Sequence, residues 1–143
     1  MLYQTDNIPE DQRQTAQDAL RIGESLSGIY GIEIEFMTAK NGDPPPGANY
    51  IKGSEYLLGC LAVKGDEPQI FINSNGKGEN LFFTICHEIY HLWEFLNDVY
   101  DDHETSETNA DRFAWRCIDV WRKNRRYRQP QPLLPELKIR ENA

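Results

Sequence analysis

Residues 82–96, FFTICHEIYHLWEFL, sort their polar and apolar side chains with the period of a helix. At about 100 degrees of turn per residue, His87 and His91 fall one turn and about 40 degrees apart. Measured from His87, Ile85, Ile89, Leu92 and Leu96 lie about 140 to 200 degrees round the axis, with Phe82 and Trp93 slightly further. Such an element has to bury one side and leave its histidines on the other, toward a cleft. The rest of the chain must supply the cover for that apolar side.

The flanking segments read as that cover. Residues 9–27 place Ala16, Ala19, Leu20, Gly23 and Leu26 at helical spacing, with Pro9 suited to a first turn. IEIEF alternates Ile32, Ile34 and Phe36 with Glu33 and Glu35, the period of a strand with one wet face. KNGDPPPGANYIKGS is a loop, because three successive prolines suit neither ladder nor helix. EYLLGCLAV and QIFIN, joined through KGDEP, predict a hairpin. Helices are expected over 81–97 and 105–124, with a short acidic connection between them. The expected fold is therefore α+β: a single small domain over residues 1–128, with an N-terminal helix, a short twisted sheet of about three strands and two further helices. Residues 129–143, rich in proline, read as an extended arm.

Composition narrows the functional classes. A chain of 143 residues with 39% hydrophobic content buries enough surface to fold without disulfides. Cys60, Cys86 and Cys117 are odd in number and show no CxxC spacing, so reduced thiols are expected. No stretch has the features of a signal peptide or the length of a membrane span, and the expectation is a soluble, cytoplasmic protein. A net charge of -8 argues against nonspecific nucleic-acid binding by the body of the protein.

His87-Glu88-Ile89-Tyr90-His91 is an HExxH pattern. Two neutral imidazoles from one helix turn and a third ligand from elsewhere leave a fourth tetrahedral position on a zinc ion for water. Glu88, about 100 degrees from His87, flanks that position and can accept the proton of the water. The third ligand has candidates in Glu107 and in Glu104, Asp101, Asp102 and His103. Glu107 is favoured because Asp111 follows it by four residues on the same helical face, where it can accept the free ring N–H of a histidine. Ala110, Phe113, Ala114, Cys117, Ile118 and Trp121 form the adjoining apolar stripe.

INSNGKGENLFFTICHEIYHLWEF followed by ETNADRFAWRCI resembles the ImmA/IrrE family of zinc peptidases over residues 71–118. The resemblance implies a small zincin-like domain, one zinc ion held by His87, His91 and Glu107, and Glu88 as general base. It also implies cleavage of a transcriptional repressor of a mobile-element, stress or phage-defence operon, here a separate protein. Tyr90 and Cys86 depart from residues common in the family. The reading from another class is a zinc-stabilised binding module that titrates its partner without cutting it.

Three further features carry expectations. Cys60, on a strand expected to edge the cleft, is either a small buried residue or a thiolate that occupies the open metal position. His103, Tyr100 and Tyr56 are candidates for stabilising an oxyanion, with no spacing rule to choose between them. WRKNRRYRQ clusters Arg122, Lys123, Arg125, Arg126 and Arg128 around Trp121 and Tyr127. That cluster is either a solvated helix end or a contact for single-stranded DNA acting as an activator.

Overall fold

The computed structural model describes residues 10–37, 59–64, 67–73 and 78–128. Helix α1, Glu10–Ser27, turns Ala16, Ala19, Leu20 and Ile22 inward. It ends where Gly28 adopts φ +78° and donates its N–H to the Glu24 carbonyl at 2.9 Å, a left-handed cap that costs glycine little. The buried Glu24 carboxylate then accepts the N–H groups of Gly31 and Ile32, at 3.2 and 3.4 Å. These bonds direct the chain from α1 into the first strand.

Strands β1 (Ile34–Met37), β2 (Gly59–Lys64) and β3 (Glu67–Asn73) form one sheet in the order β1-β3-β2. The expected hairpin is the antiparallel β2–β3 pair, while β1 lies parallel to β3. Ile34 stands opposite Ile70 and Phe36 opposite Ile72, so the alternation read from IEIEF and QIFIN puts four apolar side chains on one face. All four are fully buried.

Helices α2 (Gly78–Leu96) and α3 (His103–Arg128) each start earlier than periodicity alone indicated. The reason lies in side chains that satisfy their first N–H groups. Gln12 of α1 accepts the Gly78 N–H at 3.4 Å, and Asp102 accepts the Thr105 N–H at 2.8 Å and its hydroxyl at 3.1 Å. Asp102 is thus an N-cap, and these hydrogen bonds hold its carboxyl below the ordinary range. The far end of α2 closes as a Schellman turn: Asp98 takes φ +53°, its N–H reaches the Phe95 carbonyl at 3.4 Å, and the Val99 N–H reaches Glu94 at 2.9 Å.

α2 packs against α1, α3, β2 and β3, which cover its apolar side through Ile85, Ile89 and Leu92; Leu96, expected on the same side, is 52% exposed at the helix end. Phe82 stacks on Trp121 of α3 with ring centres 4.2 Å apart, and the Trp121 indole N–H donates to Asp18 of α1 at 3.0 Å. Gly59 sets how closely the sheet approaches α2. A Cβ there would lie 2.7 Å from Thr84 Cγ2 and 3.2 Å from the Phe71 carbonyl oxygen. Among the described residues no helix is long and apolar enough to cross a membrane. Pro9, the proline-rich loop 40–54, Tyr56 and the arm 129–143 lie outside the described residues.

Candidate metal centre

The helix period puts His87 and His91 on one side of α2, and the antiparallel packing of α3 brings Glu107 against them. Nε2 of His91 lies 3.1 Å from Nε2 of His87. Glu107 offers one carboxylate oxygen at 2.8 Å from His87 Nε2 and the other at 3.5 Å from His91 Nε2. These three residues form the single group of three close metal-ligating side chains found among the described residues, with donor atoms all within 4.8 Å of one another.

The other ring nitrogens decide what this cluster can hold. His87 Nδ1 is 2.9 Å from Asp111 Oδ1. His91 Nδ1 is 2.8 Å from Glu94 Oε1, and the Ser106 hydroxyl donates to that same oxygen at 2.7 Å. A carboxylate accepts only, so in the neutral imidazoles each Nδ1 carries the proton and each Nε2 presents a lone pair. Two nitrogen lone pairs and a carboxylate thus converge with no donor among them, which is a site for a cation. A tetrahedral zinc ion with Zn–N bonds of about 2.0–2.1 Å sets two such nitrogens roughly 3.3 Å apart, close to the spacing here. The cluster fits a divalent metal ion. Burial opposes charge on His91, yet Glu88, Glu94 and Glu107 outweigh it and raise its pKa.

Glu88 stands beside this group, 4.0 Å from His87 Nε2 and 7% exposed. Burial raises its pKa, and the two histidines and a hydrogen bond from the Leu61 backbone N–H oppose that shift. Through Leu61, strand β2 orients the carboxylate of α2. A cavity of about 500 Å³ opens here, walled by β2, by Glu88, His91 and Glu94 of α2, and by the start of α3.

The remaining candidates separate clearly. Cys60 lines this cavity and is buried, but it is not in the group of close ligand atoms. The register explains why: Gly59 and Leu61 share the face of Ile72 and Ile70, so the pleat turns Cys60 the other way, with Phe71. Burial, and next the charge of Glu88, push its thiol up to about 12. Of the rival ligands, Asp102 is committed to its cap, Glu104 is exposed on the first turn of α3, and Asp101 and His103 sit on the cavity wall outside the triad. Tyr100 is 86% exposed and bonds to Asp98, away from the site. Cys86 and Cys117 are packing residues, both fully buried.

The basic cluster is partly taken up within the fold. Arg122 makes two bonds to Glu79, of 2.7 and 2.6 Å, and lies over the Trp115 ring. Lys123 pairs with Asp119 at 3.3 Å. Trp121, considered above as a stacking face, is 3% exposed and belongs to the core. The side chains of Arg125, Arg126 and Arg128 are outside the described ones. Glu94 and Ser106 are the site residues that sequence reasoning passed over. The available signal was that Glu94 lies two helical turns from His87, hence on the histidine face.

Comparison with family models, with curated proteins and with solved structures finds no match for the chain. The reading of the site therefore rests on its own geometry.

Proposed function

We propose that the chain is a zinc-dependent endopeptidase of the ImmA/IrrE kind, which cleaves a separate regulatory protein such as a transcriptional repressor. The observation that carries this reading is Glu88. A site that only ties two helices together needs three or four ligands and gains nothing from an additional buried carboxyl group on an open cavity wall. Glu88 is such a group, held by the Leu61 N–H and placed next to the triad.

His87, His91 and Glu107 would hold the ion, with Asp111 and Glu94 fixing the two imidazoles. A bound zinc ion supplies Lewis acidity toward a peptide carbonyl and makes its water more acidic. The chain contributes the proton transfers. Glu88 accepts a proton from water in the cavity on its carboxylate oxygen and returns it to the leaving amine nitrogen; its raised affinity for protons suits both steps. Among the described residues strand β2 stands at the edge of the sheet and along the cavity, so its backbone is available to an extended peptide.

The test compares zinc-loaded wild type with Glu88→Gln on a proteome-derived peptide library and on a co-expressed repressor, with new amino termini read by mass spectrometry. Wild type should cut and Glu88→Gln should not, while both retain one zinc per chain. A wild type that holds zinc, binds a partner and cuts nothing would assign the chain to the binding-module class instead.

A further inference from the structure

Among the described residues, the wall of the cavity beside the triad carries four carboxylates, Glu88, Glu94, Asp101 and Glu107, and no lysine or arginine. A divalent ion on the triad would cancel at most two of these charges. Glu94 gives the excess a direction. Its side chain is 8% exposed; Oε1 is used by His91 and Ser106, but Oε2 is buried with no hydrogen-bond partner among the described residues. A buried carboxylate oxygen without a donor is unfavourable, and a ligand that brings an N–H relieves it. Asp101, exposed at the mouth of the same cavity, makes no hydrogen bond or ion pair among the described residues. The facing wall is Gly59, Cys60 and Leu61 of β2, whose side chains carry no charge.

We propose that this cavity is a subsite for a cationic side chain, arginine or lysine, on the peptide that the triad acts upon. Such a side chain has an apolar stem and a charged head. The stem lies along β2, and the head is drawn between Glu94 and Asp101, both of which line the cavity. A second metal ion is the poorer occupant, since Glu94 and Asp101 join no group of three close ligand atoms. The overall charge of -8 acts in the same sense, drawing basic segments toward the protein. The inference rests on the hydrolase reading for its substrate and is tested apart from turnover.

The experiment measures binding to the full-length, zinc-loaded Glu88→Gln protein by fluorescence anisotropy. The probes are alanine pentapeptides with a neutral fluorophore and a central arginine, lysine, norleucine or glutamate. The arginine and lysine peptides should bind about tenfold more tightly than the norleucine peptide, and the glutamate peptide most weakly. Added salt should narrow the difference. Asp101→Asn should shrink the preference and Asp101→Lys should abolish it, with zinc content unchanged. Equal affinity for arginine and norleucine would overturn the proposal. So would a second equivalent of zinc that Asp101→Asn removes, with no discrimination among peptides. Arginine-dependent binding by a wild type that cleaves nothing would end the hydrolase reading and leave the cationic subsite standing; cleavage without charge preference would do the reverse.

Discussion

His91 Nδ1 and Glu94 Oε1 stand 2.8 Å apart, and the Ser106 hydroxyl holds that same oxygen from α3. The contact fixes the imidazole so that Nε2 faces Glu107 and His87. Glu94→Gln should therefore weaken zinc binding by about 10- to 100-fold without removing a ligand. Ser106→Ala should act in the same direction and less strongly. His91→Ala should abolish stoichiometric zinc. Competition with a fluorescent chelator ranks the three, and an unchanged affinity in Glu94→Gln would remove this residue from the site.

Gly59 and Thr84 meet where β2 crosses α2. A Cβ on residue 59 would stand 2.7 Å from the stiff, branched Thr84 side chain and 3.2 Å from a backbone oxygen. Gly59→Ala should cost about 1–3 kcal/mol in urea unfolding. Thr84→Ser in the same chain, which removes the crowded methyl group, should recover part of that loss. Full stability in Gly59→Ala would mean that the sheet moves freely against α2.

Asp102 starts α3 through its bonds to Thr105, and its carboxyl pKa is lowered by them. A carboxyl depressed in the folded state contributes stability that is present above its unfolded pKa and lost as the pH falls through the folded one. Thermal melts of wild type should thus lose an increment on acidification below about 3.8, the reference value. Asp102→Ala should melt a few degrees lower at neutral pH and lack that increment.

Cys60 is buried with its thiol pushed up to about 12, and the pleat turns it away from α2. Native, metal-free protein at pH 8 should take up no iodoacetamide at Cys60, by intact mass and peptide mapping. The cobalt-substituted protein should show no thiolate-to-cobalt charge-transfer band. Such a band, lost in Cys60→Ser, would establish the capped state instead.

The sequence by itself determined the elements and half of the site. His87, Glu88 and His91 were legible because the helix period fixes the relative direction of residues four apart, whatever surrounds them. The strands were legible for the same kind of reason: a period of two assigns Ile34 and Phe36 to one face. Residues that reach the site from different elements were a matter of tertiary structure. Glu107 prevailed over Asp102 because Asp102 caps α3 and the seam through Ala110 and Ala114, both fully buried, brings Glu107 to the histidines. Glu94 became a partner of His91 only when Ser106 and the cavity wall enclosed it. Cys60 was placed by register, where one residue of shift exchanges the two faces of a strand. Arg122 was a member of a basic run until the fold set Glu79 within 2.6 Å of it. Periodicity is local and survives in a string of letters; which faces meet depends on chain packing that no single segment encodes.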